Sequence, residues 1–423
     1  MKTARRWSRA LVAAAVALAV VPGPASASGP PVKGLSKIGS KVLLMVLQRP
    51  RAVTLAAPEG ARARVGEASG SGTLLLGPEP MEVRAEATGR DLVLSGGLPG
   101  PRHCRELSVG PALLRLAEAG STPREYFGRL TASVRGGSLR LMLELPASRL
   151  AAGVTGTELA PGSPPEAAKA QGVACLSYIL ANLGRHRLEG ADFCDTTHCQ
   201  HYLGEDPAGA RSARGAGARS GAARPRPAEP GEVLLWNGKP LAAFYTADCG
   251  GELAHPSELW GGGPGPFRVG PDPWCLRAVD RAPEADWRVE LPAATFARAI
   301  AAAAGRPRTG APGTIGVEYA GGSGGSIVSY FSLGEGGQRL RARFEMVNRA
   351  LRALVGRWAI PGRRLSMTVR GGVVCLQGRG RGHLAGLCQR GAAQMAREGK
   401  RCAEILAFYY PGARPVPWAS VLR

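Results

Sequence analysis

Beyond Val21, the apolar runs of this 423-residue chain are short, because 60 glycines and 34 prolines keep interrupting them. Over 42–114, runs such as KVLLMVL and DLVLSGGL are separated by Gly and Pro, which predicts a small β-rich region. The stretch YFGRLTASVRGGSLRLMLEL at 126–145 predicts a hairpin turning at Gly136-Gly137, and helical patterning follows over 163–183. Residues 205–232 carry almost no apolar side chain larger than alanine and read as a disordered loop. Farther on, EVLLWNGKPLAAFYTA predicts strands about a type I′ turn at Asn237-Gly238. Residues 292–305 predict a short helix. TIGVEYA, SIVSYFSL and LSMTVRGGVVCL predict strands, and QRGAAQMAREG and RCAEILAFYYPG predict closing helices. Strands and helices are interleaved without regular alternation, so the expected fold class is α+β.

Lys2, Arg5, Arg6 and Arg9 precede an apolar run at 10–21, and Ala25-Ser26-Ala27 supplies a small-residue cleavage site. That is the pattern of a secretory signal peptide over 1–27, with the Arg5-Arg6 pair leaving the general and twin-arginine routes both open. No later run approaches the roughly 18 apolar residues of a membrane span, so the expectation is an exported chain of the periplasm, envelope or extracellular space. The formal charge is +22, and removing the four basic residues of the leader leaves +18. A polyanionic partner is expected. Few aromatics and no zinc-finger, RRM or helix-turn-helix pattern argue against nucleic acid, whereas an acidic envelope polymer fits. Biased composition, rich in Ala, Gly, Arg and Pro, is an alternative source of the charge.

Within GVTGTELAPGSPPEAAKAQGVACLSY, Glu166 stands three residues after Ser163 at the start of the alanine-rich helix. On residue types alone this is a capping box, with prolines at favoured first positions. The segment also resembles the signature of the stage II sporulation protein D/LytB family, GVV-x-x-E-M followed by P-x-E-A-L-K-A-Q-A-V-A-A-R-T-Y. Gly153, Val154, Glu158, Pro164, Glu166, Ala167, Lys169, Ala170, Gln171, Val173, Ala174 and Tyr178 fit it at the right spacing. CDTTHCQHYLG, AAFYTADCGGELAHPSELWG and GRGRGHLAGLCQRGAAQMAREGKRCAEILAFYYPGA resemble three further blocks in the family's order, so the likeness spans about 126–411. It implies a two-domain α+β cradle over 121–412 with an insertion at 205–231, after a β-rich region at 28–120 and before a tail at 413–423.

The resemblance also implies lytic transglycosylation of peptide-stripped peptidoglycan strands, with Glu166 as the general acid and then base. Such a residue protonates the leaving glycosidic oxygen and then helps the muramic acid C6 hydroxyl attack C1. That role needs a carboxyl that starts protonated, and a helix N-terminus opposes it. His383 and Gln389, on a Gly-rich turn before a helix, and Lys169 are the substrate-site candidates. Glu158, Lys169 and Asp195 read at least as well as solvated or helix-stabilising residues as they do as substrate contacts. The sequence departs from the family at Leu176 (an arginine there), Leu384 (glycine), Cys388 (serine) and Arg390 (tyrosine). Those departures keep a second function open: a protein that binds denuded glycan, or enhances a partner amidase, without cutting.

Nine cysteines in an exported chain allow disulfides but leave one over. His186, Cys194, His198 and Cys199 form a candidate structural zinc shell, a block at which some family members bind zinc; a Cys194–Cys199 disulfide is the alternative. Adjacent His198 and Cys199 can both ligate only if the backbone turns both inward. Cys249 and Cys275 are a disulfide candidate. Cys388 lies near His383, but nothing marks the orienting residue or oxyanion site that a Cys/His hydrolase needs. No organic cofactor is expected.

Overall fold

Alternating apolar residues build the largest sheet. In β1 (Lys41–Val46), Val42, Leu44 and Val46 are buried and their neighbours are turned outward, the period-two pattern of a strand with one face on a core. The computed structural model describes residues 40–67, 70–86, 90–160, 162–205, 228–279, 286–306, 313–320, 327–335, 338–356 and 359–422. The expected signal peptide and most of the 205–231 insertion lie outside the described residues.

Nine further strands follow: β2 (Ala52–Ala56), β3 (Ala61–Glu67), β4 (Gly70–Leu76), β5 (Met81–Ala85), β6 (Leu92–Ser95), β7 (Arg102–Cys104), β8 (Glu106–Glu118), β9 (Arg124–Arg135) and β10 (Ser138–Pro146). With β11 (Phe193–Cys194) they form one sheet in the order β11-β1-β10-β9-β8-β2-β5-β6-β7, with β3 pairing β8 and β4. The β9–β10 hairpin pairs Arg135 with Ser138 around Gly136 and Gly137, both at positive φ, as their lack of a Cβ allows. The fold is α+β with a β-rich N-terminal region.

Helix α1 (Ala147–Glu158) leaves β10 directly, and α2 (Pro165–Ala181) follows after a short loop. Gly153 lies inside α1, at a propensity cost of about 1 kcal/mol, because a Cβ there would collide with the Tyr202 ring. Leu203 N donates to Thr157 Oγ1 at 3.2 Å, so the 195–204 block is bonded to α1 as well as packed on it. Helix α2 is buried on nearly every side, and its alanines permit that close packing. Leu176, where the family carries arginine, is fully buried and contributes roughly 2 kcal/mol of apolar burial. The expected capping box is not formed. Pro164 is the N-cap with no side-chain cap bond, and Ser163 Oγ donates to Ala160 O instead.

Further cores lie beyond the large sheet. Helices α3 (Pro256–Trp260) and α4 (Pro273–Leu276) interrupt the loops after 246. Helices α5 (Ala293–Ala303) and α6 (Phe344–Val355) share a core with strands between 286 and 379, in which Phe296, Ile300, Phe331, Val347, Leu351 and Leu376 are buried. Helices α7 (Gln389–Arg397) and α8 (Cys402–Tyr409) pack with α2 around Ala174, Leu234, Leu387 and Tyr409. The turn at Asn237 (φ 49°) and Gly238 (φ 73°) has both central residues left-handed, as a type I′ turn requires. No described helix is long and apolar enough to cross a membrane.

Candidate functional site

A cleft of about 990 Å³ opens where these elements meet. Its lining comprises Glu158 at the end of α1, Tyr178 of α2, the 196–201 turn, the 244–247 segment, one face of α6 and the turn that carries His383 and Gln389. Aromatic rings form part of the wall. Phe244 and Trp260 lie 4.8 Å apart between centroids, Trp260 and His383 5.0 Å, and Tyr178 and Phe244 5.7 Å. Glu345 Oε1 accepts from Trp260 Nε1 at 2.9 Å and pairs with buried Arg363, which holds the ring in place. Arg185, Arg349, Arg352, Arg363 and Arg381 line the cleft, against Glu158 and Glu345. The cleft therefore favours an anion.

The two glutamates of the α1–α2 region differ in placement. Glu166, expected to be the acid/base, is not among the residues lining the cleft. Its Oε1 is 2.5 Å from Lys169 Nζ and its Oε2 accepts from Cys402 N at 2.8 Å, so it caps α8 rather than its own helix. The Lys169 contact, then the Cys402 N–H, hold its pKa below the ordinary value. A carboxylate stabilised in its charged form is poorly suited to begin a reaction as an acid. Lys169, an expected substrate residue, is engaged by Glu166 and is likewise absent from the lining. Glu158 is the family-motif carboxylate that faces the cleft, half-buried at the last turn of α1.

His383 and Gln389 are both brought into the cleft wall. Burial, reinforced by the Arg363 charge, pushes the His383 pKa down to about 4. Its Nδ1 accepts from Ala385 N at 3.2 Å, which leaves the proton of the neutral ring on Nε2. His383 is thus a neutral hydrogen-bonding group at neutral pH. Gln200 was not singled out from the sequence, although it stands in the CDTTHCQ block. It lines the cleft at 7% exposure with neither amide atom hydrogen-bonded among the described residues. Asp195 is a buried anchor: its Oδ2 accepts from Leu47 N at 3.1 Å, and burial raises its pKa to about 6.

His186, Cys194, His198 and Cys199 converge, with one ligand atom of each within 4.8 Å of all the others. Zinc bonds of about 2.3 Å to sulfur and about 2.0–2.1 Å to nitrogen give tetrahedral edges of roughly 3.8 Å S–S, 3.6 Å S–N and 3.3 Å N–N. The observed edges are 3.3 Å for His186 Nε2–His198 Nδ1, 3.6 Å for Cys199 Sγ–His198 Nδ1 and 3.8 Å for Cys194 Sγ–His198 Nδ1. Pairing of β11 with β1 fixes Cys194, and the 196–199 turn points adjacent His198 and Cys199 the same way. Glu189 Oε2 lies 3.5 Å from His186 Nδ1, an orienting carboxylate behind the ligand. The donor set fits a metal ion. Cys249 and Cys275 are also neighbours, but as free thiols and in the company of Cys388.

Among protein families, residues 135–223 match the model described as SpoIID, Stage II sporulation protein. Over that stretch the chain is similar to SpoIID. No curated protein matches it. The SpoIID match contains α1, α2 and the Cys/His block, hence Glu158, Glu166, Lys169, Gln200 and all four candidate metal ligands. The aromatic wall, α6, His383 and Gln389 are supplied from beyond it. SpoIID proteins are associated with enzymes acting on peptidoglycan and with a sporulation-related cell-wall function.

Proposed function

We propose that this protein is an exported lytic transglycosylase that cuts peptide-stripped glycan strands of peptidoglycan, with Glu158 as its acid/base. The observation that carries this reading is the position of Glu158, the SpoIID-motif carboxylate that lines an arginine-rich, aromatic-walled cleft. The backbone carbonyls at the C-terminal end of α1 repel negative charge, the opposite of the setting at Glu166. A carboxyl at 158 gives its proton to the glycosidic oxygen as the bond to C1 breaks. The resulting carboxylate takes the proton of the muramic acid C6 hydroxyl as that oxygen closes onto C1, and the 1,6-anhydro end forms.

Stripping the stem peptide frees the lactyl carboxylate of each muramic acid. Arg349 and Arg352 on α6, with Arg185 and Arg381 across the cleft, are suited to such a row of carboxylates. Phe244 and Trp260 offer apolar faces to sugar rings, and Gln200, Gln389 and neutral His383 offer hydrogen bonds to hydroxyls. The α1–α2 side and the α6 side serve as the two walls of a cradle. His186, Cys194, His198 and Cys199 would hold a zinc ion whose part is structural, since protein donors fill all four positions. An amidase that removes the peptides is the partner such an enzyme needs.

The test is digestion of peptide-free glycan strands by the unmutated protein, Glu158→Gln and Glu166→Gln, with mass spectrometry of the products. Anhydro-muramic ends from the first and third but not the second are expected. Cleavage that survives Glu158→Gln would remove Glu158 from the role. Strand binding without cleavage by any of the three would move the protein to the non-catalytic glycan-binding class.

A further inference from the structure

Behind the cleft wall, three cysteines from three separate segments meet: Cys249 after the 244–247 segment, Cys275 in α4 and Cys388 at the N-cap of α7. All three are 0% exposed, and their sulfurs lie within 4.8 Å of one another. Polar groups, rather than apolar packing alone, surround the sulfurs. Cys388 Sγ accepts two backbone N–H groups, from Cys249 at 3.3 Å and Gly391 at 3.5 Å. Neutral thiols have little call for such donors, whereas sulfur carrying negative charge is stabilised by them.

Two carboxylates complete the cluster. Asp272 Oδ2 is 3.3 Å from Cys249 Sγ, and Asp248 Oδ1 is 3.0 Å from Cys275 Sγ. Both are nearly inaccessible, at 0% and 2% exposure. Asp272 is also anchored by Tyr409 OH at 3.0 Å and by Trp274 and Cys275 N–H groups, each at 3.1 Å. Arg390 Nε lies 3.3 Å from Asp248 Oδ2. Three thiols and two carboxylates gathered out of water make a poor apolar core and a good receptor for a divalent ion.

We propose that Cys249, Cys275 and Cys388 bind a second thiophilic divalent ion, zinc in particular, as three thiolates whose fourth position is filled by one of the adjoining carboxylates. Ion binding releases the three thiol protons to solvent and involves no change of oxidation state. Full burial with protein donors on every side makes the ion structural. It would clamp the 244–247 segment to the N-terminus of α7, where Tyr245 pairs with Leu387 and Thr246 with Cys388 in parallel register. Gln389, Tyr245 and Thr246 line the cleft, so the clamp would set the cleft wall from behind.

The full chain purified from zinc-supplemented medium without chelator is counted for metal by native mass spectrometry. Two ions are expected in the unmutated protein and one in a Cys194→Ser/Cys199→Ser variant, which lacks the thiolates of the first site. Cobalt replacing zinc in that variant should give thiolate-to-metal charge-transfer absorption and tetrahedral visible bands, and adding Cys388→Ser should abolish them. A single ion in the unmutated protein, or a Cys249–Cys275 bridge in a non-reduced peptide map, would overturn the proposal. Should the double variant not fold, the ion count and peptide map of the unmutated protein still decide it.

Discussion

Glu158 and Glu166 stand on either side of one short loop, and the first turns into the cleft while the second turns away to cap another helix. Glu158 ends α1 and lines the cavity, whereas Glu166 opens α2 and accepts from Cys402 N at the start of α8. A motif read linearly contains both carboxylates at the correct spacing, and only the packing of α8 against α2 separates them.

Glu166 should therefore matter to stability. Loss of a helix-capping carboxylate costs about 0.5–2 kcal/mol, and with a side chain 31% exposed the lower half of that range is expected for Glu166→Gln. Because its folded pKa lies below its ordinary value, its contribution is complete above that value. The contribution is lost as pH falls through the folded pKa. Urea unfolding of both proteins from pH 7 down into acid should show the gap between them narrowing below the ordinary carboxylate pKa; a gap that is independent of pH would contradict the assignment.

Much of the fold was legible because local chemistry decided it. Asn237-Gly238 and Gly136-Gly137 each supply two residues that tolerate positive φ, so both hairpins form where the sequence places them. Helix α1 was missed, since Gly153, Thr155, Gly156 and Thr157 are poor helix formers; its reasons are tertiary, in the fit of Gly153 against Tyr202. Helix α6 was also missed, although the spacing of Glu345, Asn348, Arg349 and Arg352 marks one helical face, and that face lines the cleft. The glycine-to-leucine departure at Leu384 has a visible cost. This residue sits at φ 69°, a conformation glycine adopts freely, while its side chain is fully buried.

Gln200 gives a prediction in which binding and stability part company. A buried amide without partners costs about 1–3 kcal/mol, so Gln200→Met should leave the protein at least as stable as before. The same change should weaken binding of denuded glycan severalfold, as read by calorimetry. Lower thermal stability with unchanged binding would instead assign Gln200 to the core.

Protonation of His383 should destabilise the folded state in mild acid. Its folded pKa, pushed down to about 4 by burial, lies below the ordinary 6.5, so between those values the unfolded chain holds the extra proton. Stability contributed by the neutral ring is full above pH 6.5 and declines as pH falls toward 4, by on the order of 2 kcal/mol. His383→Gln should flatten this part of the pH–stability curve. An imidazole proton titration showing a midpoint near 6.5 would refute the burial argument.

Chelation addresses the His/Cys shell. His198 Nδ1 is the atom from which both sulfurs and the second imidazole are measured, so His198→Ala should remove one zinc equivalent and lower the melting temperature. The effect on glycan binding should be indirect, through the 196–201 turn that carries Gln200. Equal zinc content in His198→Ala and the unmutated protein would exclude this shell as a zinc site.

Electrostatics should dominate substrate choice. Arg349 and Arg352 are exposed on the cleft face of α6, where they are accessible to carboxylates of a bound strand. An Arg349→Ala/Arg352→Ala variant should bind peptide-free strands about tenfold more weakly, equivalent to about 1.4 kcal/mol. Its affinity should also respond less to added salt, because fewer screened contacts remain to be weakened. Affinity measured from low to physiological ionic strength separates this from a loss of folding, which would lower binding without changing the salt slope. A variant that binds as tightly and with the same slope as the unmutated protein would show that the strand does not run along α6.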